Sequence, residues 1–209
     1  MPNGTDILLL RDHVPAAAWP VVVDWLQRHQ VPVRISRPRA SKLGDYRVAG
    51  RGRTYRISVN NDLNRYAFLV VLVHEFAHHT TFLKDRRHQP HGAEWKAEYR
   101  RLMTPLLSPQ VFPQDVLAVL HEHLLDAPGS SCTDPRLMKV LRGYDHAPRP
   151  FLEELPHNTV FRFNQRLFVK GERLRTRYRC RCLNDRRIYH IDRTAEVHVE
   201  QPASVLQAS

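Results

Sequence analysis

A chain of 209 residues is long enough for one domain with a substantial core and a smaller appended section. No stretch approaches 18 consecutive apolar residues, which excludes a membrane-spanning helix and leads us to expect no membrane partner. The net charge of +11 favours an acidic macromolecular partner over a basic one. Three cysteines, an odd number, argue against a disulfide framework, and no basic residue precedes the short apolar run Ile7–Leu10, unlike in a signal peptide. We therefore expect a cytoplasmic protein.

Up to residue 60, the sequence predicts a helix followed by short strands. Residues 15–30 carry apolar side chains at helical spacing and begin with a proline, which suits the first turn of a helix. Further on, Val33–Ile35 and Tyr55–Val59 alternate like half-buried strands, and the glycines between them mark turns. We expect a small antiparallel sheet here.

The longest apolar run of the chain ends in a His-Glu-x-x-His motif. Apolar and small residues extend over 67–83, which is too long for a strand, so a buried helix with Asn64 as its N-cap is predicted. On a helix, His74 and His78 lie one turn apart on the same face and can bind one metal ion. Glu75 beside them is placed to deprotonate a water molecule at that metal.

A catalytic zinc site needs three protein ligands and one open position, so a further ligand is expected nearby. His91 lies in a predicted loop that can fold back over the first helix, whereas Glu94 and Glu98 belong to the next predicted helix. The residues by themselves leave these three candidates open. We expect His79 and His88 to be solvated or to support the metal ligands without binding the metal themselves.

Two further helices are predicted, over Glu94–Met103 and Pro113–Leu125. The second carries His121 and His123, which we expect at the surface. The predicted domain organisation has three sections: a helical body with a small sheet (1–126), a linker with a short helix (127–150), and a small basic β-rich section (151–201). The fold class is α+β.

Arginine alternates with other residues over 173–182. With the period of two of a β-strand, one face of a single strand carries five arginines, which are Arg173, Arg175, Arg177, Arg179 and Arg181. The other face includes Cys180 and Cys182. We expect both cysteines to pack inward rather than bind a second metal, because the second cysteine pair of a structural zinc site is missing.

The positive charge is concentrated in the two strand-rich sections. Residues 34–56 carry eight basic residues and one acid, and residues 162–193 carry eleven basic residues and three acids. These sections account for +7 and +8, so the rest of the chain is mildly acidic. Clusters of this kind are typical of proteins that bind a polyanion such as DNA, although they also occur as solvated strand faces.

The pairing of the His-Glu-Phe-Ala-His motif with the downstream segment His91-Gly92-x-Glu94-Trp95-Lys96 resembles the SprT-like (Spartan-type) zinc metallopeptidases. Residues 57–63, with Ile-Ser-Val-Asn followed by Leu63, resemble the strand that leads into their active-site helix, and Tyr178–Cys182 resembles the opening of their C-terminal zinc ribbon. The resemblance implies a zincin-like fold, one catalytic Zn²⁺ with His91 as third ligand, and an edge strand that holds an extended peptide. It also implies cleavage of proteins crosslinked to DNA.

Three functions remain to be weighed. The first is a zinc endopeptidase acting on proteins near DNA, with Glu75 as catalytic residue and His74, His78 and His91 as ligands. The second is a nucleic-acid-binding module without base preference, whose zinc site is structural or inactive. The third, a zinc hydrolase of small substrates, is disfavoured because no cysteine ligand segment precedes the motif helix.

Overall fold

The computed structural model describes residues 7–39, 42–50, 54–125 and 134–200, and the chain divides into two compact units after His146. Helices dominate the first unit and antiparallel strands the second, which confirms the α+β class with a β-rich C-terminal sheet. Among the described residues, no helix has the length and hydropathy needed to cross a bilayer. The start of the predicted linker (127–133), Gln201, and Arg51 and Arg53 of the first basic section lie outside the described residues.

The helices of the first unit are α1 (Ile7–Asp12), α2 (Trp19–His29), α3 (Arg65–Lys84), α4 (Ala93–Met103), α5 (Gln114–Leu125) and α6 (Pro135–Arg142). All of them except α1, which was not predicted, lie close to their predicted positions. Helix α2 begins later than predicted, after a 3₁₀ turn at Ala16–Ala18, and Pro20 occupies its first turn.

Helix α3 is the centre of the first unit. Its N-terminus is closed by Asn64, whose side-chain oxygen accepts hydrogen bonds from the N–H groups of Tyr66 and Ala67, each at 3.0 Å. Fourteen of its 20 residues are buried, as expected for an apolar run without a polar stripe. The helix is therefore held on most sides, which gives the motif residues a rigid support.

A three-stranded sheet packs beside α3. Its strands are β1 (Val33–Ser36), β2 (Gly44–Ala49) and β3 (Thr54–Asn60), in the order β1-β3-β2. Strands β2 and β3 are antiparallel, with Tyr46 opposite Ile57, but β1 runs parallel to β3, with Val33 opposite Ile57. The prediction of an antiparallel sheet was therefore wrong for β1. The chain runs back along β2 before it forms β3, so β3 has the same direction as β1.

The α6 helix, predicted within the linker, packs with the first unit. Its side chains Leu137 and Leu141 are buried in the same hydrophobic core as α3. His121 is exposed as expected, but the expectation for His123 was wrong: it is 3% exposed, and its Nδ1 lies 2.8 Å from Oδ2 of Asp134 at the start of α6. Packing of α6 against α5 covers this histidine, and residue spacing on α5 does not predict that contact.

The second unit is a five-stranded antiparallel sheet with the order β7-β6-β5-β4-β8. Its strands are β4 (Val160–Phe163), β5 (Arg166–Arg173), β6 (Arg177–Cys182), β7 (Ile188–Asp192) and β8 (His198–Val199). One face of the sheet carries the buried core of the unit, which includes Phe161, Phe168 and Tyr178.

The predicted row of five arginines on one strand is interrupted. Arg173 ends β5, Arg175 lies in the connecting turn, and only Arg177, Arg179 and Arg181 share the exposed face of β6. The N–H of Leu174 donates to the carbonyl of Arg177 at 2.7 Å and closes the turn. An alternating pattern can continue through a hairpin turn, so periodicity alone did not reveal the break.

Candidate metal centre

Helix α3 places the two imidazoles of the His-Glu-x-x-His motif one turn apart. The Nε2 atoms of His74 and His78 lie 3.2 Å from each other, since residues four apart share a helix face. The following loop adds His91, whose Nε2 lies 3.3 Å from that of His74. The ligand atoms of all three residues lie within 4.8 Å of one another, so this group can hold a metal ion.

The loop between α3 and α4 turns back because His91 adopts a left-handed backbone conformation, with φ of 61°. A turn closes around it, in which Gly92 N–H donates to the carbonyl of Gln89 at 2.9 Å. A positive φ is rare for residues other than glycine and costs about 1 kcal/mol or more, and such strain is concentrated at functional sites. Backbone strain is thus retained where it directs His91 toward α3.

Glu94 and Glu98, the alternative candidates for the third ligand, lie outside the histidine cluster. Glu98 is buried and forms ion pairs with Lys84 and with Arg101, the second at 3.0 Å. Burial by itself would raise the pKa of Glu98, but hydrogen bonds from these two cations lower that pKa below its usual value. Glu94, in the first turn of α4, is exposed. Neither glutamate belongs to the group formed by the histidines.

The three imidazoles are suited to binding a dication. Burial, reinforced by the neighbouring imidazoles, lowers the pKa of His74 to about 2 and that of His78 to about 3, and burial also lowers the pKa of His91. The rings are therefore neutral near pH 7. Two nitrogens at 2.0–2.1 Å from a tetrahedral zinc ion lie about 3.3 Å apart, close to the 3.2 and 3.3 Å found here. The donor set and its spacing fit zinc.

Glu75 lies next to the imidazoles and is buried. Burial, together with the charge of Asp45, raises the pKa of Glu75 to about 8, while the backbone N–H of Tyr46 donates a hydrogen bond to its carboxylate. Strand β2 reaches this side chain because Gly44 has no side chain of its own at the contact. The carboxylate is thus oriented from the edge strand of the sheet as well as from α3.

Comparison with known families places this site in context. Residues 21–116 match the model of the SprT-like family. This matched stretch, the SprT-like region, covers just under half of the chain. Comparison with curated proteins and with solved structures gave no significant match. The predicted resemblance is therefore confirmed at the level of the family, which is associated with zinc-peptidase-type activity.

Within the SprT-like region, Trp95 contacts all three histidines, a role that the sequence did not indicate. Its ring centroid lies 4.6, 5.3 and 4.8 Å from those of His74, His78 and His91. Because Trp95 is fully buried, its ring limits the rotation of each imidazole. The signal that could have indicated this role is the position of Trp95 four residues after His91, in the first turn of α4.

His79 and His88 lie outside the cluster. His79 is buried, with its Nδ1 3.3 Å from the hydroxyl oxygen of Tyr46, and its ring packs between α3 and the sheet. His88 remains in the loop, with its Nδ1 2.7 Å from the carbonyl oxygen of Asp85.

The second predicted site lies beyond the SprT-like region, on β6 and the turn before it. The five arginines are exposed, and none forms an ion pair within the part of the chain that the structure describes. Cys180 and Cys182 are buried free thiols whose side chains face the core of the second unit. Among the described residues, no cluster with metal-binding geometry includes either cysteine.

Proposed function

We propose that this protein is a zinc-dependent endopeptidase with a zincin-like catalytic domain, acting on proteins associated with or crosslinked to DNA. The observation that carries the proposal is the convergence of three neutral imidazoles beside one buried carboxylate. Three protein ligands leave a fourth position for water or substrate, as in catalytic rather than structural zinc sites. The match of residues 21–116 to the SprT-like family supports the same chemistry.

In this mechanism the chain contributes three ligands and one proton acceptor. His74, His78 and His91 would hold the ion, and a bound ion would supply Lewis-acid activation of the scissile carbonyl and the attacking water. Glu75 accepts a proton from that water as the water attacks the peptide carbonyl carbon, and then passes the proton to the leaving amine. Burial favours the neutral form of Glu75, whereas a dication held by the three neutral imidazoles would favour the carboxylate that this step requires.

The outer edge of β2 offers a place for an extended peptide. The N–H of Asn60 donates a hydrogen bond to the carbonyl of Leu43, the residue before β2. Because hydrogen-bonded pairs alternate along an antiparallel ladder, Gly44, Tyr46 and Val48 direct their backbone groups away from β3. The hydrogen bond from Tyr46 N–H to Glu75 agrees with this direction. A peptide that pairs with this edge passes beside the catalytic carboxylate, which favours a protein substrate over a small molecule.

The DNA part of the proposal depends on the arginines of the second unit. Several carboxylates of this unit already pair with other arginines, in the ion pairs Arg162–Glu200, Arg166–Asp185 and Arg193–Glu153. Arg177, Arg179 and Arg181 stand at alternate positions of an exposed strand, about 6.6 Å apart, and suit contacts with a phosphate backbone. Such contacts carry no base preference and weaken with salt.

A nucleic-acid-binding module with a structural or inactive zinc site is the alternative. It explains the exposed arginines but gives no role to the buried carboxylate of Glu75. In either case we propose a cytoplasmic protein, because Cys180 and Cys182 are free thiols.

The decisive experiment replaces Glu75 by Gln, which has nearly the same shape but cannot accept the proton. We expect Glu75→Gln to retain one zinc ion per chain and to lose cleavage of a DNA-crosslinked protein by roughly 100-fold or more. Glu94→Gln, at an exposed position near the site, is the control and should cleave like the wild type. A fully active Glu75→Gln variant contradicts the mechanism, and a zinc-loaded wild type that binds DNA but cleaves no protein supports the alternative.

A further inference from the structure

A buried histidine and aspartate form a pair behind the metal centre. The Nδ1 of His123 lies 2.8 Å from Oδ2 of Asp134, and the other carboxylate oxygen accepts from the N–H groups of Arg136 and Leu137 at the start of α6. Because a carboxylate only accepts hydrogen bonds, Nδ1 of His123 is the donor. In the neutral ring, the Nε2 of His123 is then an acceptor.

The Nδ1 of His74 requires a hydrogen-bond acceptor. Its Nε2 faces the other two histidines, so a metal ion at the cluster requires the proton of the neutral ring on Nδ1. Histidines that bind metals almost always donate this second N–H to an acceptor, which fixes the tautomer and the orientation of the ring. The Nδ1 of His74 is fully buried, and among the described residues it has no hydrogen-bond partner.

The ring of Tyr99 contacts both histidines. Its centroid is 6.0 Å from that of His74 and 6.0 Å from that of His123. The Nε2 of His123 is likewise fully buried and has no partner among the described residues. A buried donor and a buried acceptor thus belong to two rings that contact the same aromatic side chain. A hydroxyl or a buried water molecule can bridge polar groups that have no direct partner.

We propose that His123, held in one tautomer by Asp134, positions the metal ligand His74. A hydroxyl or water beside Tyr99 accepts the hydrogen bond from Nδ1–H of His74 and donates one to Nε2 of His123. His123 and Asp134 are thus positioning residues and do not touch the substrate. They lie outside residues 21–116, so the support comes from a part of the chain beyond the SprT-like match. The inference rests on the proposed metal role of His74.

The test measures zinc affinity by competition with a chelator and does not depend on proteolysis. His123→Phe fills the space but removes the acceptor, and we expect it to weaken zinc binding roughly 10- to 100-fold. His123→Gln retains an acceptor at similar reach and should restore most of the affinity. His121→Phe, at an exposed position of the same helix, is the matched control and should bind zinc like the wild type.

A second readout follows the proton of His74 itself. In ¹⁵N-labelled protein loaded with zinc, we expect the Nδ1–H signal of His74 to be protected from exchange in the wild type and exposed to exchange in His123→Phe. If His123→Phe does not fold, Asp134→Asn provides the same comparison, because asparagine still caps a helix but holds His123 less firmly.

Wild-type zinc affinity in His123→Phe, or an equal loss in His123→Phe and His123→Gln, overturns the inference, since the second result indicates packing alone. A wild-type protein that does not bind zinc refutes the proposed function instead. The two failures are therefore distinguishable.

Discussion

The α-carbon of Gly44 lies so close to Glu75 that a Cβ at this position would be 2.6 Å from Glu75 Oε1 and 2.5 Å from Cγ1 of Val71. Cβ atoms essentially never approach other non-bonded heavy atoms this closely. The edge strand β2 can therefore approach α3 only because residue 44 has no side chain. The place of the proposed general base is set by a glycine on another element, 31 positions earlier in the chain.

Gly44→Ala should damage both stability and catalysis. Either β2 or the side chains of Val71 and Glu75 must move, and overpacking of this kind costs about 1–3 kcal/mol. We expect a lower free energy of unfolding in urea and a loss of peptide cleavage larger than the loss of zinc binding. Thr54→Ala, at an exposed position of the neighbouring strand β3, is the control. Wild-type cleavage by a folded Gly44→Ala variant argues against the close contact.

The strained backbone at His91 predicts a difference between two substitutions. Both His91→Gly and His91→Ala remove the imidazole, but alanine must still adopt the positive φ, at a cost of about 1 kcal/mol relative to glycine. In chelator, His91→Gly should therefore have the higher free energy of unfolding, measured in urea.

The same pair tests the third ligand. Zinc should raise the melting temperature of the wild type and of His88→Ala, whose ring lies in the same loop outside the cluster. It should have little effect on either His91 variant. A wild-type rise in the melting temperature of His91→Ala with zinc would indicate that Glu94 or Glu98, rather than His91, is the third ligand.

Asp134 predicts a dependence of stability on pH. Burial by itself would raise its pKa, but hydrogen bonds from His123 and from two α6 amides lower that pKa below the usual 3.8. The folded state thus favours the carboxylate, whose stabilisation is complete above pH 3.8 and is lost as the pH falls through the folded pKa. Asp134→Asn should reduce the free energy of unfolding by about 1–2 kcal/mol at pH 7. This difference should shrink below pH 4, as measured by urea unfolding in chelator, and a difference that persists unchanged at pH 3 would contradict it.

The exposed arginines of β6 predict salt-dependent binding of DNA. Replacing Arg179 and Arg181 together by alanine should weaken binding of single-stranded DNA, and the slope of log affinity against log salt should fall by roughly 0.7 per arginine. Arg28→Ala is a control, because Arg28 is an exposed arginine that already pairs with Asp24. Unchanged affinity and slope in the double variant would show that β6 does not contact the polyanion.

The metal helix was predictable because its signals are local. The span of α3 follows from an apolar run and an N-cap at Asn64, and the pairing of His74 with His78 follows from 3.6 residues per turn. The choice of His91 required either the family resemblance or the structure. From spacing alone, Glu94 and Glu98 were equivalent to it until Lys84 and Arg101 were seen to engage Glu98.

By itself, the sequence determined most of the helices and the pairing of His74 with His78 beside Glu75, because helix period and capping act over a few residues. Only the tertiary structure decided the parallel pairing of β1 with β3, the burial of His123 under α6, and the approach of Gly44 to Glu75. These features depend on contacts between segments far apart in the chain, whose free energy comes from packing that no local pattern records. The tertiary structure also decided the position of the turn between Arg173 and Arg177. One alternating pattern of residues can run through a strand and the hairpin turn that ends it, so the pattern does not show where the turn lies.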